Sequence, residues 1–87
     1  DGGTIKLDGN YPTGTGNVAL GNTALDSIES GANYNIAIGN NAGTVITTGD
    51  YNTVIGGFAG DAITTGQFNT LYGYRSIQIQ QHLIIQL

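Results

Sequence analysis

Asn35-Ile36-Ala37-Ile38-Gly39-Asn40-Asn41-Ala42 is answered, seventeen residues on, by Asn52-Thr53-Val54-Ile55-Gly56-Gly57-Phe58-Ala59. The same frame precedes them at Asn17 to Ala24 and returns at Asn69 to Ser76, so the spacings are 18, 17 and 17. A second element lies between the frames. Val45-Ile46-Thr47-Thr48-Gly49-Asp50-Tyr51 matches Ala62-Ile63-Thr64-Thr65-Gly66-Gln67-Phe68, and Ser27 to Tyr34 is the earlier counterpart with one extra residue, which accounts for the spacing of 18. Agreement in several columns through three or four copies is the signature of an internal repeat.

A period of 17 is too short for a helix pair, and Gly, Asn and β-branched residues disfavour helix. Each copy instead reads as two short strands and two turns: a run opening on Asn and closing on Gly, then a shorter run closing on a polar-Gly turn. If each copy is one coil, equivalent residues stack at the ~4.8 Å strand spacing. The expected fold is all-β, a short β-solenoid (β-roll) of about four 17–18-residue coils over residues 14–76. Residues 1–13 are expected to form an N-terminal cap strand and turn, from the alternation at Thr4-Ile5-Lys6-Leu7 and the turn residues Asp8-Gly9-Asn10.

Stacking gives each column a physical task. Leu20, Ile38, Ile55 and Tyr72 are expected to point inward as one ladder, and Ile28, Ile46 and Ile63 as a second facing it. Gly21, Gly39, Gly56 and Gly73 close the strand where positive φ or a close approach is needed. Ala24, Ala42, Ala59 and Ser76 occupy a corner with room only for a small side chain, and Asn17, Asn35, Asn52 and Asn69 read as an amide ladder. Strand side chains alternate between faces, so this assignment turns Ala19, Ala37, Val54 and Leu71 outward. A strand apolar on both faces is covered on both, and another copy of the chain is the economical cover.

The tail changes character. Residues 77–87 contain no Gly, Asn or Thr; read as a strand, they would place Ile77, Ile79, Leu83, Ile85 and Leu87 on one face, broken only by Gln81. In one reading this is an edge that pairs with another subunit. In the other it is repeat sequence read out of frame: in an adjacent frame, with permitted codons, the same letters spell Tyr-Asn-Thr close to where the period expects it.

Composition narrows the function. Fifteen Gly, nine Asn and eleven Thr fill 35 of 87 positions, and only 9 % of residues are charged, with a net charge of -4 and a pI near 4.2. No basic surface exists to neutralise phosphates or bind an anionic membrane, so nucleic acid is not an expected partner. No 18-residue apolar run is present to insert in a bilayer. Without cysteine there is neither a disulfide framework nor a thiolate zinc site, and a chain this small needs another source of stability, such as self-association.

Chemistry is sparse. His82 is the one histidine, which leaves a zinc site or a His-based triad without a second member. Asp26 and Asp61 match, but Thr44 interrupts the column. The Gly-rich turns lack the strand-to-helix setting of a phosphate loop. No enzyme, metal or cofactor is expected. Two columns could contact a surface: Tyr34, Tyr51 and Phe68, by stacking on sugar rings or on a neighbouring subunit, and the Thr pairs Thr47-Thr48 and Thr64-Thr65.

The unit Asn-x-Val/Ala-Ile-Gly-x-x-Ala of Asn35 to Ala42 and Asn52 to Ala59 resembles the head repeat of YadA-like trimeric autotransporter adhesins. With the Thr-Thr-Gly-x-aromatic-Asn-Thr element it is similar also to Gly/Asn-rich repeats of bacteriophage tail-fibre and appendage proteins. The resemblance implies a left-handed parallel β-roll that trimerises through one sheet face, although this repeat is longer than the adhesin unit. The expected function is a structural subunit or segment of an extracellular or virion fibre, partnered by copies of itself as trimer or filament. The alternative is a glycan-binding or adhesin module using the aromatic and Thr ladders.

Overall fold

The structure, a computed structural model, describes residues 14–77. The expected cap at 1–13 and tail residues Ile79, Leu83, Ile85 and Leu87 lie outside that range. Among the described residues the fold is all-β without a helix: β1 (Val18–Leu20), β2 (Ile36–Ile38), β3 (Thr53–Ile55) and β4 (Thr70–Tyr72) form one parallel sheet in chain order. The register follows the repeat, Ala19 beside Ala37, Val54 and Leu71. Since parallel neighbours need a long connection, the remainder of each copy makes it.

That connection is itself stacked. Hydrogen bonds join successive copies beyond the strands: Leu25 N–H to Ala42 C=O at 3.1 Å, Gly43 to Ala59 at 2.9 Å, Gly60 to Ser76 at 2.8 Å, and Thr47 to Thr64 at 2.9 Å. Within a copy, N–H groups of Ala42, Ala59 and Ser76 close tight turns on the C=O of Gly39, Gly56 and Gly73. The Gly that opens this turn has no alternative. At Gly39 and Gly56 φ is +131° and +130°, and an added Cβ would lie 2.6 Å from the backbone of the next copy's Gly. The extra residue of the first copy is absorbed in a turn closed by Ala32 N–H on Glu29 C=O, 3.0 Å.

The core reverses one expectation. Ala37 and Val54 are fully buried, and Ala19 and Leu71 pack partly buried against the same cluster; these residues face inward. Leu20 is 41 % and Tyr72 83 % exposed, while Ile38 and Ile55 are half-buried, so this column faces outward. The cause is available volume. Ile28, Ile46 and Ile63 enter the core from the far side, together with Leu25 and the corner Ala24, Ala42 and Ala59. An added Cβ at Gly43 would lie 2.9 to 3.3 Å from Ile46, Leu25 and Val54, which shows how closely these side chains converge. In so thin an interior the sheet contributes its smaller residues, and close packing leaves no place for a ladder of Leu, Ile and Tyr.

The buried Asn column sets the same parity. Asn35 and Asn52 have no exposed surface, so the residues two further on, Ala37 and Val54, must face inward as well.

Candidate functional site

Four ladders organise the surface and the core, and the Asn ladder is the best satisfied. Asn52 Nδ2 donates to Asn35 Oδ1 at 3.0 Å and to Gly66 C=O at 2.9 Å, while its Oδ1 accepts from Asn69 N–H (3.0 Å) and Asn69 Nδ2 (2.9 Å). Asn35 repeats the pattern with Asn17 Oδ1, Gly49 C=O and Asn52. Asn17 Nδ2 reaches Ala32 C=O. Buried amides with this many partners are structural elements, since each group finds a bond that water would otherwise supply.

One residue earlier stands the aromatic column. Tyr34, Tyr51 and Phe68 stack face to face, with centroids 5.4 and 4.9 Å apart and planes 15° and 3° from parallel. All three sit at φ near +60°, a conformation that costs an L-residue roughly 1–2 kcal/mol. Their surroundings hold them there. Tyr34 N–H bonds Thr15 C=O, Asn33 N–H bonds Asp50 Oδ1 and Asn35 N–H bonds Asn17 Oδ1, so three consecutive amides are anchored on neighbouring copies. Gly16 occupies this column in the first copy, also at positive φ (+73°), with the Tyr34 ring against it.

This stacking decides what the column can bind. Sugar rings stack on aromatic faces, and here the inner faces are occupied by neighbouring rings. The outer face of Phe68, 71 % exposed at the end of the stack, is the face left open by the two stacking contacts. The column otherwise presents ring edges.

The third ladder is the outer face of the sheet. Leu20, Ile38, Ile55 and Tyr72 form one column in register and Val18, Ile36, Thr53 and Thr70 the next, so six of these eight residues are apolar. Val18 is 40 % exposed. The apolar stripe runs across all four strands, along the direction in which copies stack.

The fourth column, Thr23, Asn41, Phe58 and Arg75, is left-handed throughout, at φ between +59° and +61°. The Thr23 hydroxyl donates to the Asn41 side-chain oxygen. At its far end Arg75 lies 5.3 Å from the Phe58 ring centre and 5.4 Å from that of Tyr74, whose hydroxyl accepts from Nε at 3.1 Å and raises the Arg75 pKa. These are exposed contacts of the last copy's corner, weaker than desolvated ones would be.

Among the described residues no three His, Cys, Asp or Glu side chains gather where they could hold a metal ion. Ile77, expected to link subunits, is exposed. Repeat spacing alone did not reveal the left-handed columns. For the aromatic column the signal was the alignment of Gly16 with Tyr34, since a Gly in one copy marks a conformation the others must share; the column of Thr23, Asn41, Phe58 and Arg75 contains no Gly and carried no such signal.

No protein-family model matches the chain, and neither a curated protein nor a solved structure does.

Proposed function

We propose that the chain is a structural subunit or segment of an extracellular or virion fibre, its stacked copies forming the coils of a short β-solenoid that associates with copies of itself. The observation that carries this reading is the outer stripe Leu20, Ile38, Ile55 and Tyr72, apolar in every copy on a face where the structure needs no apolar residue for its own core. Isolated exposed apolar residues are ordinary; a row that repeats in register through all four strands is the contact surface this reading assigns. The inter-subunit role first assigned to Ala19, Ala37, Val54 and Leu71 passes to this column, because those four residues build the core. The resemblance of the repeat to fibre and adhesin repeats supports the extracellular or virion setting.

Glycan binding gains nothing from the aromatic column, whose faces are largely consumed by stacking on each other. The test is Ile38→Asp together with Ile55→Asp, followed by sedimentation and electron microscopy. Folding should survive, because both side chains project from the outer face, while lateral association should be lost. Unchanged association in the doubly substituted chain would remove this surface from consideration.

A further inference from the structure

We infer that copies of the chain join head to tail in a single register, the next copy's Gly21 lying over Gly73 as Gly39 lies over Gly21. The inference rests on the fibre reading above and specifies its axial joint.

The bond pattern between copies is directional and recurs at all three internal junctions. Gly39, Gly56 and Gly73 donate N–H to the C=O of Leu20, Ile38 and Ile55 at 2.7, 2.7 and 2.8 Å. Asn41, Phe58 and Arg75 donate to Asn22, Asn40 and Gly57 at 2.8, 2.7 and 2.8 Å. Tyr34, Tyr51 and Phe68 donate to Thr15, Asn33 and Asp50, at 2.9, 3.1 and 3.1 Å. In the opposite sense Leu25, Gly43 and Gly60 donate to Ala42, Ala59 and Ser76. Extending the pattern by one junction pairs the two ends of the molecule. Gly21 N–H meets Tyr72 C=O, Thr23 N–H meets Tyr74 C=O, Gly16 N–H meets Gln67 C=O, and Ile77 N–H meets Ala24 C=O. At each of these four positions a donor faces an acceptor, and an open edge of unpaired N–H and C=O groups is a template for pairing with another chain.

The side chains agree in size and polarity. Inward residues grow from Ala19 and Ala37 through Val54 to Leu71, and the end members Ala19 and Leu71 are only partly buried whereas the middle two are sealed. The joint sets the largest against the smallest. On the outer face Tyr72 is followed by Leu20, so the apolar stripe continues without a break.

The stripe also needs this continuity. Four ~4.8 Å spacings by three residues of ~3.3 Å give an outer face of about 200 Å², against ~800 Å² per partner in a stable interface. About four units end to end supply the difference, so axial joining comes before lateral association. Such a contact is heterologous and open-ended, and grows into a filament.

The experiment uses the absence of native cysteine. Thr15 and Gln67 are exposed, lie off the apolar stripe and fall in one column, so the inferred joint places them on adjacent layers, within disulfide reach. Full-length Thr15→Cys and Gln67→Cys chains are mixed and oxidised with glutathione disulfide. The expected result is mixed dimers in about tenfold excess over either homodimer, since thiols whose Cα atoms are more than ~7 Å apart do not bridge. Homodimers in equal or greater amount would overturn the joint in favour of a two-fold or lateral contact. Assembly seen by sedimentation without mixed cross-links would overturn the joint while leaving the fibre reading intact, and no assembly at any concentration would end both. Mixed cross-links that form only after deletion of residues 1–13 or 78–87 would show that the chain's own ends occupy these edges, and would also overturn it.

Discussion

The Asn column and the aromatic column are neighbours in sequence, and each lays similar side chains one above another. Asn35 and Asn52 are sealed from solvent with every amide group bonded, while Tyr34 and Tyr51 are about half exposed, hold a left-handed backbone and touch mainly each other. The first ladder holds the copies together by directional bonds in a dry environment. The second decorates a corner whose conformation is imposed by the bonds on either side. The energetic hierarchy follows from location: an unmet buried bond costs more than a lost exposed contact.

The sharpest way to break that hierarchy is Asn52→Ala. It orphans Gly66 C=O and Asn69 N–H at once, and at ~1–3 kcal/mol for each unsatisfied group the expected loss is about 3–5 kcal/mol, read from the midpoint of urea denaturation. Tyr51→Ala should cost less, about 1–2 kcal/mol, from two stacking contacts worth ~0.5–1.5 kcal/mol each. Tyr51→Gly then sharpens the comparison. It removes the same ring but relieves the left-handed strain, so it should be more stable than Tyr51→Ala by about 1 kcal/mol; an equal or lower stability would mean that φ at this corner is not imposed by its neighbours. The smallest effect has the opposite sign. Ser76 takes the place of Ala24, Ala42 and Ala59, and its buried hydroxyl has no hydrogen-bond partner among the described residues. Ser76→Ala should raise the thermal midpoint, by a gain of up to about 1 kcal/mol.

Much of this architecture was readable from spacing. The repeat fixes which residues stack, and the positions of Gly39, Gly56 and the Asn column follow from turn and amide chemistry. Ile28, Ile46 and Ile63 declare themselves as core by being the apolar residues of an otherwise polar segment. The facing of the strands was not readable from hydrophobicity, because Ala37 and Ile38, or Val54 and Ile55, are apolar alike and alternation has nothing polar to register against. Size misleads here: the larger residue looks like core, yet the interior has already been filled from the opposite side by Leu25 and the Ile column. The Asn column held the answer, since a buried amide two residues before Val54 settles the parity. That requires knowing the amide is buried, which tertiary packing decides.

The extra residue of the first copy has a consequence for engineering. Glu29 N–H still bonds Thr47 C=O at 2.9 Å and Tyr34 N–H still bonds Thr15 C=O, so both flanks of the insertion keep their register while Ser30 and Gly31 stand exposed, with open space around Gly31. Chain length is thus a free variable at this one corner. A short epitope or ligand-binding peptide spliced between Ser30 and Gly31 would ride outside the stack, and the head-to-tail joining inferred above would repeat it at regular intervals.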